Sequence, residues 1–284
     1  MKSRGLGAVA AAATLALTLA ACGSNDDGGS GGSTGAEGGT KLKVGIKFDQ
    51  PGMGLKKGSE YTGMDVDVAK YIAKEMGIDE GNIEFKESPS AQRESLLANG
   101  QVKMIFATYS ITDTRKEKVS FGGPYLTAGQ DLLVKADNTD ITGPETLNGK
   151  KLCSVTGSTS AQKVADKFAK TVQLQKYDTY SKCVEALSSG AIDAVTTDNT
   201  ILAGFAAQEA NKGKFKVVGK TFSTERYGVG LKKGDTETCT KVNDALKKMV
   251  DSGEWQKAFD KNLGTAGLTL DPATNPPKTF DPCA

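Results

Sequence analysis

Past a Gly/Ser-rich opening, the chain alternates short apolar runs with longer stretches in which apolar residues return every third or fourth position. Lys41-Leu42-Lys43-Val44-Gly45-Ile46 alternates as a strand does, and a Gly/Pro-rich loop through Asp49, Pro51, Gly52 and Gly54 follows it. Val66, Ala69, Ile72, Ala73 and Met76 then recur at helical spacing, with Gly77 placed to end the helix. The sequence of strand, loop and helix comes again. A short strand is expected over 83–85, Ser90 can cap a helix carrying Leu96 and Leu97, and Met104-Ile105-Phe106-Ala107 is an apolar run suited to a buried strand. A second unit of the same kind begins near Lys151: a strand over 152–155, the loop Gly157-Ser158-Thr159, and a helix over 160–169 bearing Val164, Ala165 and Phe168. Strand Ala194-Val195-Thr196 and a helix from Asn199 follow. Late in the chain, Val242, Ala245, Leu246, Met249 and Val250 form an amphipathic stripe that Trp255, Phe259 and Leu263 continue. These stripes are core-packing faces.

Alternating β and α segments predict an α/β protein with parallel-cored sheets. In such sheets a ligand lies outside the carboxyl ends of the strands, near helix N-termini. Function is therefore sought in the loops over 47–54, 88–93, 108–115, 157–160 and 197–199, all rich in Ser, Thr, Arg, Lys and Asp.

Composition narrows the chemistry. The 284 residues carry a formal charge of +2, which gives no bias toward nucleic acid or a membrane surface. Aromatic residues are 6% of the chain, too few for base-stacking platforms. There is no histidine. Ser/His and Cys/His nucleophile pairs, His-containing zinc sites and the commonest general base are thus all missing, and neither a metal nor a cofactor is expected.

At the N-terminus Lys2 and Arg4 precede an Ala/Leu run to Ala21, shorter than a transmembrane helix needs. It closes on Leu19-Ala20-Ala21-Cys22, which resembles the lipobox of bacterial lipoproteins. On this reading 1–21 is a signal peptide, Cys22 is lipidated, and 22–40 is a flexible tether holding the protein at the outer face of the cell membrane. Four cysteines remain, Cys153, Cys183, Cys239 and Cys283, and they allow three pairings. The favoured one joins Cys153 to Cys183, which share the middle segment, and leaves Cys239 to pin the C-terminal tail through Cys283. No CxxC spacing suggests metal or redox chemistry.

Four stretches in order carry a family resemblance: Gly63-Met64-Asp65-Val66-Asp67-Val68-Ala69; Ser110-Ile111-Thr112-Asp113-Thr114-Arg115-Lys116 with Phe121 and Pro124-Tyr125; Gly157-Ser158-Thr159-Ser160; and Tyr227-Gly228-Val229-Gly230-Leu231-Lys232-Lys233-Gly234. They resemble the polar amino-acid solute-binding proteins of ABC importers. Ser88-Pro89-Ser90-Ala91-Gln92-Arg93, Cys153, Cys183 and Tyr177-Asp178-Thr179-Tyr180 look closer still to actinobacterial glutamate-binding lipoproteins. The resemblance implies a two-lobed, type II periplasmic-binding-protein fold, each lobe a mixed β-sheet flanked by helices, joined by two hinge crossovers near Gln130 and Arg226. Lobe 1 is expected over 41–129 and 226–267, lobe 2 over 130–225, and a tail over 268–284. It further implies a monomer that passes its ligand to ABC permease subunits.

By the same resemblance Arg115, with Ser110 beside it, takes the ligand's α-carboxylate, a role that suits a bidentate guanidinium. Ser158 and Thr159 add helix N-terminal donors. Asp198 and Thr108 accept from the α-ammonium. Lys47 stands where neutral-amide binders tend to carry an acid, and Ser90 with Arg93 matches a Ser-x-x-Arg pattern of acidic amino-acid binders. Together these point to glutamate, with aspartate, glutamine or asparagine as alternatives. Gln50 and Met64 occupy positions where many relatives carry aromatic walls, and Tyr61 or Tyr109 is expected to substitute. A cyclohexadienyl dehydratase on the same fold is the enzymatic rival. It needs a catalytic carboxylate and a bulkier acid. A sensor is disfavoured on the expectation that no output domain follows Ala284.

Overall fold

The structure is a computed structural model that describes residues 41–284. The leader, Cys22 and the tether lie outside the described residues. The chain begins with β1 (Leu42–Ile46), a small antiparallel sheet of β2 (Asp49–Gln50), β3 (Gly54–Lys57) and β4 (Glu60–Thr62), and helix α1 (Met64–Glu75). It continues through β5 (Ile83–Glu87), α2 (Arg93–Ala98), β6 (Met104–Phe106), the short α3 (Asp113–Lys116) and the long β7 (Val119–Ala128). A second set follows: β8 (Gln130–Lys135), β9 (Lys151–Val155), α4 (Ser160–Lys167), β10 (Gln173–Tyr177), α5 (Tyr180–Ser189), β11 (Ala194–Asp198), α6 (Asn199–Ala207) and β12 (Phe215–Val217). The chain then returns along β13 (Glu225–Lys232) to α7 (Thr236–Asp251) and α8 (Glu254–Asn262).

Two five-stranded sheets result, ordered β5-β1-β6-β13-β7 and β10-β9-β11-β8-β12. Each has three parallel strands at one side and antiparallel partners at the other. The parallel core was legible because β6 and β11 are buried along their whole length. Each sheet with its helices forms one lobe. β7 and β13 run side by side, Glu225 opposite Ala128, and both chain crossings between lobes start from this ribbon. One crossing is at Gly129. The other precedes Glu225, because Arg226 is already inside β13 and pairs with Asp281 of the C-terminal segment.

Cys153 is joined to Cys183 and Cys239 to Cys283. The first bond fastens β9 to α5. The second holds the end of the chain against α7, and Asn275 of the same tail pairs with both backbone groups of Thr127 in β7. The sheet of β2, β3 and β4 is not evident in the sequence, where the stretch through Asp49 and Gly54 reads as a Gly/Pro-rich loop. Its strands are two to four residues long, too short for an alternating pattern to show. No helix among the described residues is long and apolar enough to cross a membrane.

Candidate functional site

Arg93 is the first residue of α2, entered through a tight 3-10 turn over Ser90–Gln92. Its side chain is buried, donating from Nη1 to the Ala107 carbonyl at 3.0 Å and from Nε to the Ser90 carbonyl at 3.3 Å. Arg115 rides on α3, whose N-cap Thr112 accepts from the Arg115 backbone N–H. Its guanidinium donates to the Ser110 carbonyl at 2.8 Å and, across the cleft, to the Gly157 carbonyl at 3.1 Å. The two guanidinium carbons lie 4.0 and 4.9 Å from the Tyr109 ring centroid. The quadrupole of that ring offsets part of the cost of holding two cations together in a buried place.

Lys47 follows β1 and is only 4% exposed; its Nζ donates to the Ser90 hydroxyl at 2.7 Å. It therefore stands one layer behind Ser90. Burial, then the charge of Arg93, pushes the Lys47 ammonium down to about 7. Burial and Arg115 likewise bring Arg93 down to about 10. Opposite, in the second lobe, Asp198 ends β11 and precedes α6 without capping it through its side chain. Its carboxylate accepts from the Tyr227 hydroxyl at 2.7 Å, and burial together with Glu225 raises it to about 7. Ser158 accepts from the Tyr180 hydroxyl at 2.8 Å. Thr159 is the N-cap of α4 by backbone position, its hydroxyl accepting from Gln130 Nε2 at 3.1 Å.

Eight of the residues singled out in the sequence, Ser90, Arg93, Thr108, Ser110, Arg115, Ser158, Thr159 and Asp198, line one interlobe cavity. Lys47 reaches it through Ser90. Tyr180, Thr197 and Ile201 complete the lining; Thr197 falls in a loop singled out for function, while Tyr180 and Ile201 are not among the expected site residues. Tyr180 opens α5 directly after β10, in a loop of the kind in which function was sought. The expected aromatic substitutes lie elsewhere: Tyr61 packs between Phe48 and Phe85, and Tyr109 lies beneath the guanidiniums. A larger groove behind the hinge, lined by Thr127–Gly129 and the segment from Ala266 to Asp271, presents Asp131 and Asp271 but no cation. It offers a carboxylate no charged donor. Chemistry, not size, selects the interlobe cavity.

Close approaches hold the lobes together around it. Asp49 of the first lobe accepts from the Ser181 backbone N–H at 3.1 Å, at the N-terminus of α5. A Cβ placed on Gly157 would come 2.7 Å from the Ala91 nitrogen, and one on Gly204 would overlap the Pro51 carbonyl oxygen. What the arrangement can do is surround a small zwitterion: two guanidiniums and a Ser90 hydroxyl backed by the Lys47 ammonium on one side, a carboxylate and a helix N-terminus on the other.

Residues 42–265 match the bacterial extracellular solute-binding proteins, family 3. The chain is 49% identical to the glutamate-binding protein GluB of Corynebacterium glutamicum over 95% of this chain and 94% of that one. It is 38% identical to the ABC transporter glutamine-binding protein GlnH of Bacillus subtilis, covering 86% and 92% of the two chains. Among solved structures, an ancestral arginine-binding protein bound to glutamine superposes with a TM-score of 0.73 at 36% identity, covering 79% of this chain and 98% of the other.

Proposed function

The chain belongs to the bacterial extracellular solute-binding proteins of family 3, and on that premise we propose that it captures glutamate between its lobes and delivers it to an ABC importer. Proteins of this family bind amino acids and hand them to permease subunits, and similarity to both glutamate- and glutamine-binding relatives supports an amino acid with a five-carbon acid or amide skeleton. The observation that carries the choice of acid over amide is the buried Lys47–Ser90 pair beside Arg93, at one end of the cavity, with Arg115 a separate cation for the α-carboxylate. Each ligand carboxylate then meets its own cation, while Asp198 faces the ammonium. Charge-assisted hydrogen bonds contribute about 1.5–3 kcal/mol each, so three or four of them reach the roughly 8 kcal/mol of micromolar binding. A surplus of fixed positive charge also rejects lysine and arginine.

An elimination of the cyclohexadienyl dehydratase kind would ask Asp198 to act as a free base in a cavity open to a bulkier acid. Its carboxylate is instead held by Tyr227. The reading is of a binder. Titration calorimetry on the purified protein tests it: glutamate binds more tightly than glutamine, and Lys47→Asp weakens glutamate at least about tenfold while changing glutamine little. Equal losses for the two ligands would remove Lys47 from the specificity argument. A wild-type protein indifferent to glutamate would remove the reading itself.

For placement, the monomeric binding domain is anchored at the outer membrane face by a diacylglycerol on Cys22. Cys22→Ser is expected to move the protein from the membrane fraction to the medium, read by fractionation and immunoblot. Continued membrane retention of that variant counts against the anchor.

A further inference from the structure

Asp65 makes none of the ligand contacts described above, yet its carboxylate is fully buried in the same lobe. It sits in the first turn of α1, accepting from the Tyr125 hydroxyl at 2.6 Å through Oδ1 and from the Thr108 backbone N–H at 3.1 Å through Oδ2. Thr108 is the one non-glycine residue at positive φ, 46°, among the described residues. β-Branched residues avoid that region, so something must hold it there. The corner it makes directly follows the Ala107 carbonyl that receives Arg93, and its hydroxyl donates toward Ala107 O and Gln50 Oε1. One carboxylate thus bears on the turn that places both Thr108 and the acceptor of Arg93.

The same group belongs to the charge set around Lys47. Arg93 from α2, Arg115 from α3, Asp49 from β2 and Asp65 from α1 all act on the Lys47 ammonium. Asp65 in turn faces Lys47, Arg93 and Tyr125, with Tyr227 of β13 behind Tyr125. We propose that Asp65 is a positioning residue for glutamate capture: its carboxylate fixes the Thr108 corner in the left-handed turn and balances the positive charge of Lys47 and Arg93 against the ligand's side-chain carboxylate. The inference rests on the glutamate reading and deepens it.

The direction of the pH effect follows. A bound side-chain carboxylate favours charged Lys47, so glutamate affinity falls as pH rises through the Lys47 titration at about 7. Asp49 and Asp65 both pull that titration upward, and without the Asp65 charge Lys47 loses its proton at lower pH. On the acid side burial raises Asp65 to about 6 and Asp198 to about 7, and their protonation weakens binding there. Calorimetry with glutamate and glutamine from about pH 6 to about pH 9 therefore separates the roles. In Asp65→Asn, glutamate affinity drops about tenfold or more and its alkaline decline moves to lower pH; glutamine loses less, with no such movement. Thr108→Gly, which accepts the left-handed turn freely, reduces the further cost of Asp65→Asn in the double variant. Tyr125→Phe removes one donor from Asp65 without touching the cavity and shifts the decline in the same direction by less. Equal losses for both ligands with an unmoved pH profile overturn the proposal, as does wild-type binding in both Asp65→Asn and Tyr125→Phe. If Asp65→Asn does not fold, Tyr125→Phe decides alone. Failure of the wild-type protein to bind glutamate would instead strike the function assigned above.

Discussion

Arg115→Ala is expected to abolish amino-acid binding altogether, rather than to retune the choice among ligands. Every candidate ligand has the same α-carboxylate, so the residue that meets it cannot discriminate between them. Arg115 is also the guanidinium that spans the cleft, donating to Ser110 in its own lobe and to Gly157 in the other. Removing one partner of a buried charge pair costs about 3–5 kcal/mol, equivalent to a hundredfold or more in affinity. Arg115→Lys keeps the charge but loses the planar fork and the contact with the Tyr109 face, so it should recover only part of that loss. Calorimetry with glutamate, glutamine and aspartate checks the result, and circular dichroism verifies that the fold survives. Micromolar glutamate binding in the alanine variant would displace Arg115 from the carboxylate site.

What could be read from the chain divides by the range of the cause. β6 announces itself because a strand buried on both faces reads as an unbroken apolar run, whereas β11, equally buried, is apolar only over its first two residues. Arg115 and Asp198 stand at ends of elements, where local pattern and family motif coincide. The positions of Lys47 and Ser90 were visible, but their relation was not: a cation lying behind a hydroxyl comes from the angle between β1 and the turn before α2, and no periodicity encodes that angle. In the sequence Asp65 is only one acid of the Gly63–Ala69 motif. Its partners Tyr125 and Thr108 lie 60 and 43 residues away, and a contact at such separation leaves no local trace. Neither Tyr61 nor Tyr109 lines the cavity, for a similar reason. Tyr109 follows a cleft strand as a lining residue would, but the guanidiniums take its face, and Tyr180 reaches the cavity from the opposite lobe.

Gly204→Ala should leave the protein folded but unable to close. Gly204 lies in the middle of α6, where alanine is the better helix former by about 1 kcal/mol, so the unliganded melting temperature should hold or rise. In the closed arrangement, however, a methyl at that position would overlap the backbone oxygen of Pro51 in the other lobe. Backbone cannot rotate aside as a side chain would. A ligand shifts an open–closed equilibrium only by its preference for the closed state. When that state carries a new steric cost, the cost is subtracted from affinity in full. Glutamate should bind at least about tenfold more weakly, and small-angle scattering should find that the ligand no longer reduces the radius of gyration. Compaction with unchanged affinity would mean that the lobes meet elsewhere. The effect does not depend on which amino acid binds, because it acts on the division of the site itself. Ser90, Arg93 and Arg115 belong to one lobe, Ser158 and Asp198 to the other, and a protein held open offers a zwitterion only one half of its partners.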